Sequence, residues 1–226
     1  MLFRSLLASA RTISGALVSP SIHGTARGAA LLAALRSRGV ETLEVSERDF
    51  DSAADTEHPQ GVLAIATAPQ WNLGALDLPT GTVRLLVLDG VQDPGNAGTL
   101  VRTGAALGVA AIIALPGTAD LWSAKAIRSA VGATFRRPVM HGELAELQSL
   151  LADATVELWI TAADGAPIDA VPAPARLALV VGNEGAGVSA EVRARAQRSV
   201  ALPMTSGVES LNVAVAAGIA LYALRP

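Results

Sequence analysis

From Val83 onward, short apolar segments alternate with helical patterns, and this alternation limits the possible folds more than any other feature. The apolar segments are nearly continuous, which is typical of strands that are buried on both faces. Strands are expected at 84–88, 110–115, 156–162, 177–181 and 199–202. Helices are expected at about 96–107, 123–131 and 143–151, with a short one from Ser189 and a last one at the end of the chain. The pattern predicts an α/β fold whose parallel sheet is covered by helices on both faces.

Residues 1–66 show a second and smaller α/β pattern. Helices are expected at 2–10 and 26–38, with Gly39 as a stop, and strands at 13–18, 40–45 and 61–67, the last of them buried. The prolines and glycines of 68–82 indicate a linker. We therefore expect a small domain at 1–67 and a larger one at 83–226.

Polar loops follow three of the expected strands: DGVQDPGN after Leu88, GNEGAG after Val181 and PMTSGVES after Leu202. Parallel α/β sheets bind ligands beyond the carboxyl ends of their strands, so these loops are the candidate site. Their most distinctive polar residues, at or near the loop-to-helix junctions, are Asn96, Arg102, Glu184, Ser210 and Asn212. Taken singly, Asn96, Ser210 and Asn212 are also explained as helix caps and Glu184 as a turn acid. Apolar neighbours make Arg102 harder to explain in this way.

Several enzyme classes lose support because their motifs are missing. No G-x-G-x-x-G, G-x-x-x-x-G-K-[ST] or G-x-S-x-G occurs, which disfavours dinucleotide-binding dehydrogenases, P-loop NTPases and serine hydrolases. The chain has no cysteine, and its three histidines are far apart in sequence, so we expect no metal.

Charge is distributed unevenly along the chain. Residues 1–40 contain five arginines and no acid, whereas the remainder has 12 basic and 20 acidic residues. A basic arm favours an anionic partner such as RNA. An arginine-biased composition, with 16 arginines and only one lysine, explains it equally well.

No targeting or membrane segment fits the sequence well. The apolar stretch between Arg4 and Arg11 is too short for a secretory signal. The longest apolar run, 211–224, is shorter than the roughly 20 residues that a spanning helix needs. We expect a cytoplasmic protein that does not enter the membrane.

Taken together, NAGTLVRT, GNEGAG, LPM and SLNV, in this order over residues 83–226, resemble the motifs of one family. It is the SpoU/TrmH branch of the SPOUT superfamily, whose members are S-adenosylmethionine-dependent RNA 2′-O-ribose methyltransferases. The resemblance implies a deep trefoil knot formed by the C-terminal segment, against the general scarcity of knots. It also implies a homodimer, which suits a final helix that has almost no polar face.

The resemblance further implies the roles of the site residues. The residues expected at the S-adenosyl-L-methionine site are Gly182, Leu202, Met204 and Leu211. Arg102 is implied to grip the target phosphate and stabilise negative charge on the 2′-oxygen. A guanidinium resists deprotonation, so a phosphate oxygen or water is expected to accept the proton. Asn96, Glu184, Ser210 and Asn212 would orient these groups.

The N-terminal residues, through the segment TEHPQGVLAIA, resemble the ribosomal-protein-like RNA-binding domain that is often fused to this fold. The family's opening strand and acid-glycine motif are missing, as if the chain began inside that domain. A misassigned start codon explains this more simply than altered RNA binding.

Three other functions stay open. A noncatalytic RNA-binding protein could keep the knot, but would be expected to lose Asn96, Arg102, Glu184 or Asn212, and all are present. A base-directed methyltransferase fits the motif pairing less well. Ribosomal RNA is favoured over transfer RNA as the substrate, because the layout has two domains and no basic C-terminal extension.

Overall fold

The computed structural model describes residues 2–54, 59–205 and 210–225. The chain forms two compact units, Met1–Gln70 and Trp71–Pro226. In the described ranges, no helix is long and apolar enough to cross a membrane.

The first unit is a small three-stranded sheet with helices. Its elements are helices α1 (Leu2–Leu7), α2 (Ala26–Ser37) and α3 (Glu47–Ala53) and strands β1 (Ile13–Val18), β2 (Thr42–Glu44) and β3 (Val62–Ala66). β1 is central, parallel to β2 and antiparallel to β3. Leu32 of α2 packs against Val18, which forms a small core. The predicted small α/β pattern is confirmed, and the helix stop is Gly39 in the left-handed region at φ 67°.

Two details of the first unit differ from expectation. α3 lies where no helix was expected, because its sequence is mostly charged. In the structure Phe50 is its only buried residue. The strand expected to be buried at 61–67 forms, but Ile65 is 71% exposed. β3 is an edge strand of a small sheet, so an apolar run alone did not establish its burial.

One arginine of the basic N-terminal stretch has a structural role. The Arg38 guanidinium donates hydrogen bonds to the carbonyl oxygens of Ser9 at 3.2 Å and Arg11 at 2.8 Å. It thereby ties the end of α2 to the chain that follows α1. At least this charge is explained without RNA.

The second unit contains a six-stranded sheet in which every pair of neighbours is parallel. Its strands are β4 (Val83–Asp89), β5 (Ala111–Ala114), β6 (Val139–His141), β7 (Glu157–Pro167), β8 (Arg176–Gly182) and β9 (Arg198–Ala201), in the spatial order β6-β5-β4-β8-β7-β9. All seven residues of β4 are buried. The predicted parallel sheet is confirmed, although β6 lies where no strand was expected.

Helices cover both faces of this sheet, as predicted. They are α4 (Pro94–Ala106), α5 (Ala124–Ala130), α6 (Leu144–Asp153), α7 (Ala190–Arg193) and α8 (Val213–Ala223). Leu100 of α4 and Leu221 of α8 belong to one core cluster, and Leu147 of α6 belongs to the other. The strand residues alternate between the two clusters, as the pleat of a sheet requires.

The segment expected to be a linker, 68–82, packs in part against the core of the second unit. Leu73 is buried and packs with the α6 side of the core, and Leu76 and Leu78 pack against the same cluster. The assignment of functions to 1–67 and 83–226 stays a prediction.

A buried arginine fastens α8 to the sheet. Arg84 in β4 is only 6% exposed, and its Nε donates to the Leu224 carbonyl oxygen at the end of α8, at 2.6 Å. Its Nη1 donates to the carbonyl oxygens of Val83 and Ala175, both at 2.9 Å. Removal of this charge from water carries a cost, and for the same reason burial lowers the pKa of Arg84 from its ordinary value. The three carbonyl groups and the negative end of α8 offset that cost.

Replacement of Arg84 should therefore loosen α8. We expect Arg84→Met to lower the free energy of unfolding by about 2–4 kcal/mol, because the carbonyl groups of buried Val83 and Leu224 lose this donor. Urea denaturation followed by circular dichroism measures this. Arg225→Met is the control: Arg225 also donates to a carbonyl group, that of Tyr222, but is exposed. An equal loss of unfolding free energy in Arg84→Met and Arg225→Met would contradict the role of Arg84 in fastening α8.

Candidate active site

Asp93 establishes where α4 begins. Its side chain accepts a hydrogen bond from the Asn96 backbone N–H at 2.8 Å, and Pro94 occupies the first helical position. Asp93 is therefore the N-cap, and the suggestion that Asn96 serves as the cap is wrong. Lys125 Nζ lies 2.7 Å from Asp93 Oδ2. The hydrogen bond from Lys125, followed by that from the Asn96 backbone, lowers the pKa of Asp93 below its ordinary value.

Asn96 links the three motif loops because its side chain is not needed as a cap. Asn96 Nδ2 donates to Glu184 Oε1 at 2.8 Å, and Asn96 Oδ1 accepts from Asn212 Nδ2 at 3.0 Å. The Asn96 amide thus donates one hydrogen bond to Glu184 and accepts another from Asn212, and these two residues belong to different motif segments. The structure brings these three predicted site residues into direct contact.

Asn212 performs two tasks at the start of α8. Its Oδ1 accepts from the backbone N–H groups of Ala214 at 3.0 Å and Val215 at 3.3 Å, so it caps the helix. Its Nδ2 meets Asn96. Ser210 precedes it as an exposed residue, and the adjoining residues 206–209 lie outside the described ranges.

Gly182 lies where β8 leaves the sheet and the chain doubles back. A Cβ at this position would overlap the backbone of Gly187 and Val188. Asn183 and Gly187 exchange backbone hydrogen bonds at 2.9 and 3.0 Å. Only glycine fits at 182 without displacing this turn.

Three residues outside the predicted set hold the loops in place. Asn183 Nδ2 donates to the Gly90 carbonyl oxygen at 2.8 Å, which joins the loops after β8 and β4. Buried Asp89 accepts from the Ser189 backbone N–H at 2.7 Å, and Thr118 Oγ1 accepts from the Gly90 N–H at 3.0 Å. A polar residue that ends an apolar strand, as Asp89 does, is a sequence signal that could have identified one of them.

Three predicted cofactor residues lie within the third loop or directly next to it in the sequence. Leu202 is half-buried against the core, whereas Met204 and Leu211 are 41% and 39% exposed. Exposed apolar side chains beside backbone-rich loops suit a ligand with a neutral, flat portion.

Arg102 stands apart from the Asn96 contacts. It is exposed on α4, about 9 Å further along the helix axis than Asn96 at 1.5 Å per residue. Within the described residues it makes no hydrogen bond or ion pair. The guanidinium is thus available to a ligand. Across residues 2–54, 59–205 and 210–225, no cluster of His, Asp or Glu is arranged to hold a metal ion.

Comparison with known proteins identifies the relatives of this chain. The chain is 38% identical over 188 residues to the 23S rRNA (guanosine(2553)-2′-O)-methyltransferase RlmP of Bacillus subtilis (strain 168), an alignment that covers 83% of this chain and 73% of that protein. It is 34% identical over 197 residues to the 23S rRNA (adenosine(1067)-2′-O)-methyltransferase of Streptomyces laurentii, covering 85% and 72%. The crystal structure of the AdoMet-bound rRNA methyltransferase from Sinorhizobium meliloti matches with a TM-score of 0.86 at 27% identity, over 99% of this chain and 84% of that one.

Family matches cover both units. Residues 2–71 match the family described as RNA 2′-O ribose methyltransferase substrate binding, and residues 84–222 match the SpoU rRNA Methylase family. The motif-based prediction is confirmed: the chain belongs to the SpoU family of RNA 2′-O-ribose methyltransferases.

Proposed function

We propose that this protein transfers a methyl group from S-adenosyl-L-methionine to a ribose 2′-hydroxyl of ribosomal RNA. The observation that carries the proposal is the contact of Asn96 with both Glu184 and Asn212. These residues come from three separate loops, and their contact assembles the three motifs at one edge of the sheet. The names of the relatives, which are 23S rRNA methyltransferases, support ribosomal RNA.

The residues present fit the cofactor. Gly182 lets β8 approach the Gly187 backbone closely, and the surrounding loops offer main-chain groups rather than a charged cluster. Leu202, Met204 and Leu211 provide apolar side chains for the adenine and the carbon skeleton. When bound, the cofactor supplies a methyl group already activated on a sulfonium sulfur.

The protein's task is to position and polarise the ribose hydroxyl, which is a poor nucleophile until its proton begins to leave. Arg102 holds the target phosphate and stabilises negative charge that develops on the 2′-oxygen. A phosphate oxygen or water accepts the proton, because a guanidinium does not act as a base. Asn96, Glu184, Ser210 and Asn212 hold the loops and the ribose in place.

We further propose that the chain path of the second unit forms a trefoil knot and that the first unit binds RNA. α8 packs against α4 and β8 in the middle of the second unit, whereas β9 lies at the sheet's edge, and this return supports a trefoil knot. Residues 2–71 match a substrate-binding family, which supports an RNA-binding role for the first unit. A ribosomal RNA substrate also favours a cytoplasmic location.

We propose that the protein is a homodimer that pairs through α8. Val215, Ile219 and Tyr222 are 52%, 46% and 57% exposed and follow one another at helical spacing. They form an apolar stripe on the side of α8 that faces away from its own core. Arg102 adjoins Thr103, which approaches Gly218 of α8, so this pairing would bring Arg102 close to the subunit boundary.

Methyl transfer tests the function directly. The purified protein should transfer radiolabelled methyl groups to in vitro transcribed 23S rRNA, and nuclease digestion should place the label on ribose. Label on unmodified transfer RNA alone would favour the transfer RNA alternative, and label on a base would overturn the ribose assignment. If the protein binds the cofactor and RNA but labels neither 23S rRNA nor transfer RNA, the noncatalytic alternative is favoured.

Arg102→Lys tests the role of the guanidinium in the same assay. We expect turnover to fall by about 100- to 1,000-fold, comparable to the loss of a donor that stabilises an oxyanion. Arg195→Lys, which alters an arginine at the other edge of the sheet, is the control. Turnover of Arg102→Lys close to that of the unaltered protein would exclude any role that needs the planar fork.

Gly182→Ala tests the cofactor site. Its Cβ must displace the 183–187 turn, so we expect at least a tenfold weaker affinity for S-adenosyl-L-methionine by calorimetry. Gly185→Ala lies in the same turn, but there a Cβ makes only an ordinary contact of 3.6 Å with Asn183. Similar affinities of the two variants would contradict the assignment of Gly182.

Ile219→Asp tests the dimer. A charge in the apolar stripe should shift the molar mass measured by light scattering from two chains to one. Ser149→Asp, on the exposed side of α6, should leave it unchanged. A monomeric unaltered protein, or an Ile219→Asp variant that stays dimeric, would rule out pairing through α8.

A further inference from the structure

Residues 121–142 differ in charge from the rest of the second unit. They contain Lys125 and three arginines and no Asp or Glu, although residues 71–226 as a whole have 11 basic and 13 acidic side chains. The three arginines, Arg128, Arg136 and Arg137, are named here the arginine surface. Arg128 and Arg136 are exposed, and Arg137 is half-buried. Positive charge is thus concentrated on a unit that is otherwise acidic.

The elements that carry this surface pack directly on α4. A Cβ at Gly98 of α4 would overlap the Ala126 carbonyl group and crowd Ser129, so the backbones of α4 and α5 approach closely. Arg102 follows Gly98 by four residues and therefore lies on the same side of α4, one turn further along. The 3-10 turn Ala133–Phe135 also packs on α4. The arginine surface consequently lies beside the proposed catalytic arginine.

The chain between Arg128 and Arg136 adopts a costly conformation. Val131 has φ 52° and Gly132 has φ 87°, so two successive residues are left-handed and the first is β-branched. This region of backbone space is sterically unfavourable for a β-branched residue. Close by, Thr134 Oγ1 is buried with no hydrogen-bond partner among the described residues. This turn determines where the chain goes after α5, and hence where Arg136 and Arg137 stand.

We propose that the arginine surface binds the phosphates of the RNA strand that flanks the target nucleotide. The proposal rests on the proposed function, since it places the substrate of that reaction. Guanidinium groups match phosphate oxygens in planar pairs, and a run of backbone phosphates needs several cations in a row. The surface extends from α5 to β6 and adjoins Arg102, so one strand can contact both.

The Lys125 and Asp93 pair joins this surface to the site. Lys125 begins the same basic run, and its contact with Asp93 reaches the N-cap of the helix that presents Asn96. The pair therefore connects α5, which carries part of the arginine surface, to α4, which carries Asn96. Binding of RNA phosphates on α5 positions the RNA strand relative to the loops that hold the cofactor.

Salt dependence of RNA binding tests the proposal. The dissociation constant for in vitro transcribed 23S rRNA is measured from 50 to 300 mM KCl for the unaltered protein and for the triple variant Arg128→Gln, Arg136→Gln, Arg137→Gln. Each lost phosphate contact should lower the slope of log affinity against log salt by about 0.7–0.9. We expect the triple variant to lose a slope of about 2 and to bind RNA at least tenfold more weakly, with unchanged cofactor affinity.

Two comparison proteins separate charge from folding. The triple lysine variant keeps the positive charges and should retain most of the slope, because lysine also binds phosphate as a point charge. Arg195→Gln removes a cation that is paired with Glu191 at the opposite edge of the sheet, and it should change the slope little. Loss of slope in the lysine variant, or equal loss per charge in Arg195→Gln, would overturn the proposal.

The assay also distinguishes the two proposals. If the unaltered protein methylates ribose and the glutamine variant keeps its slope, the arginine surface is wrong and the proposed function stands. If the unaltered protein binds 23S rRNA but methylates no ribose, the proposed function fails, while the loss or retention of slope still decides the surface.

Discussion

The Asn96 side chain makes the contacts that connect the three motif segments to one another. Its two hydrogen bonds, of 2.8 and 3.0 Å, connect α4 to Glu184 and to Asn212, which lie 88 and 116 residues later in the chain. The contacts are possible because Asp93 caps α4 and leaves the Asn96 amide free. They position the loops rather than build the core, since the two partners are exposed and Asn96 is only half-buried.

α8 transmits this arrangement to the sheet because polar contacts hold both of its ends. At its start Asn212 caps the helix and meets Asn96, and at its end Arg84 donates to the Leu224 carbonyl oxygen. Between these points small residues such as Ala217 are buried against the core. A buried arginine at one end and an exposed amide at the other thus determine how the site loops meet the parallel sheet.

Much of the fold was predictable because the strands of the second unit are buried on both faces. The continuous apolar run of β4 indicated its place in a parallel sheet, and Gly39 indicated the end of α2. The short β6 and the charged α3 were not predictable in this way, since neither carries a periodic apolar pattern. Ile65 shows the reverse case, in which an apolar strand is exposed because it lies at a sheet edge.

By itself the sequence determined the fold class, the family motifs and the loops in which a site must lie, because apolar periodicity and local spacing are properties of neighbouring residues. Only the tertiary structure decided that Asp93 rather than Asn96 caps α4, that Asn96 pairs with Glu184 and Asn212, and that Arg84 anchors α8. It also brought α5, which carries Lys125 and Arg128, into close contact with α4 at Gly98. The reason is physical: a hydrogen-bond donor has many possible acceptors along the chain, and packing of distant segments leaves only a few within reach.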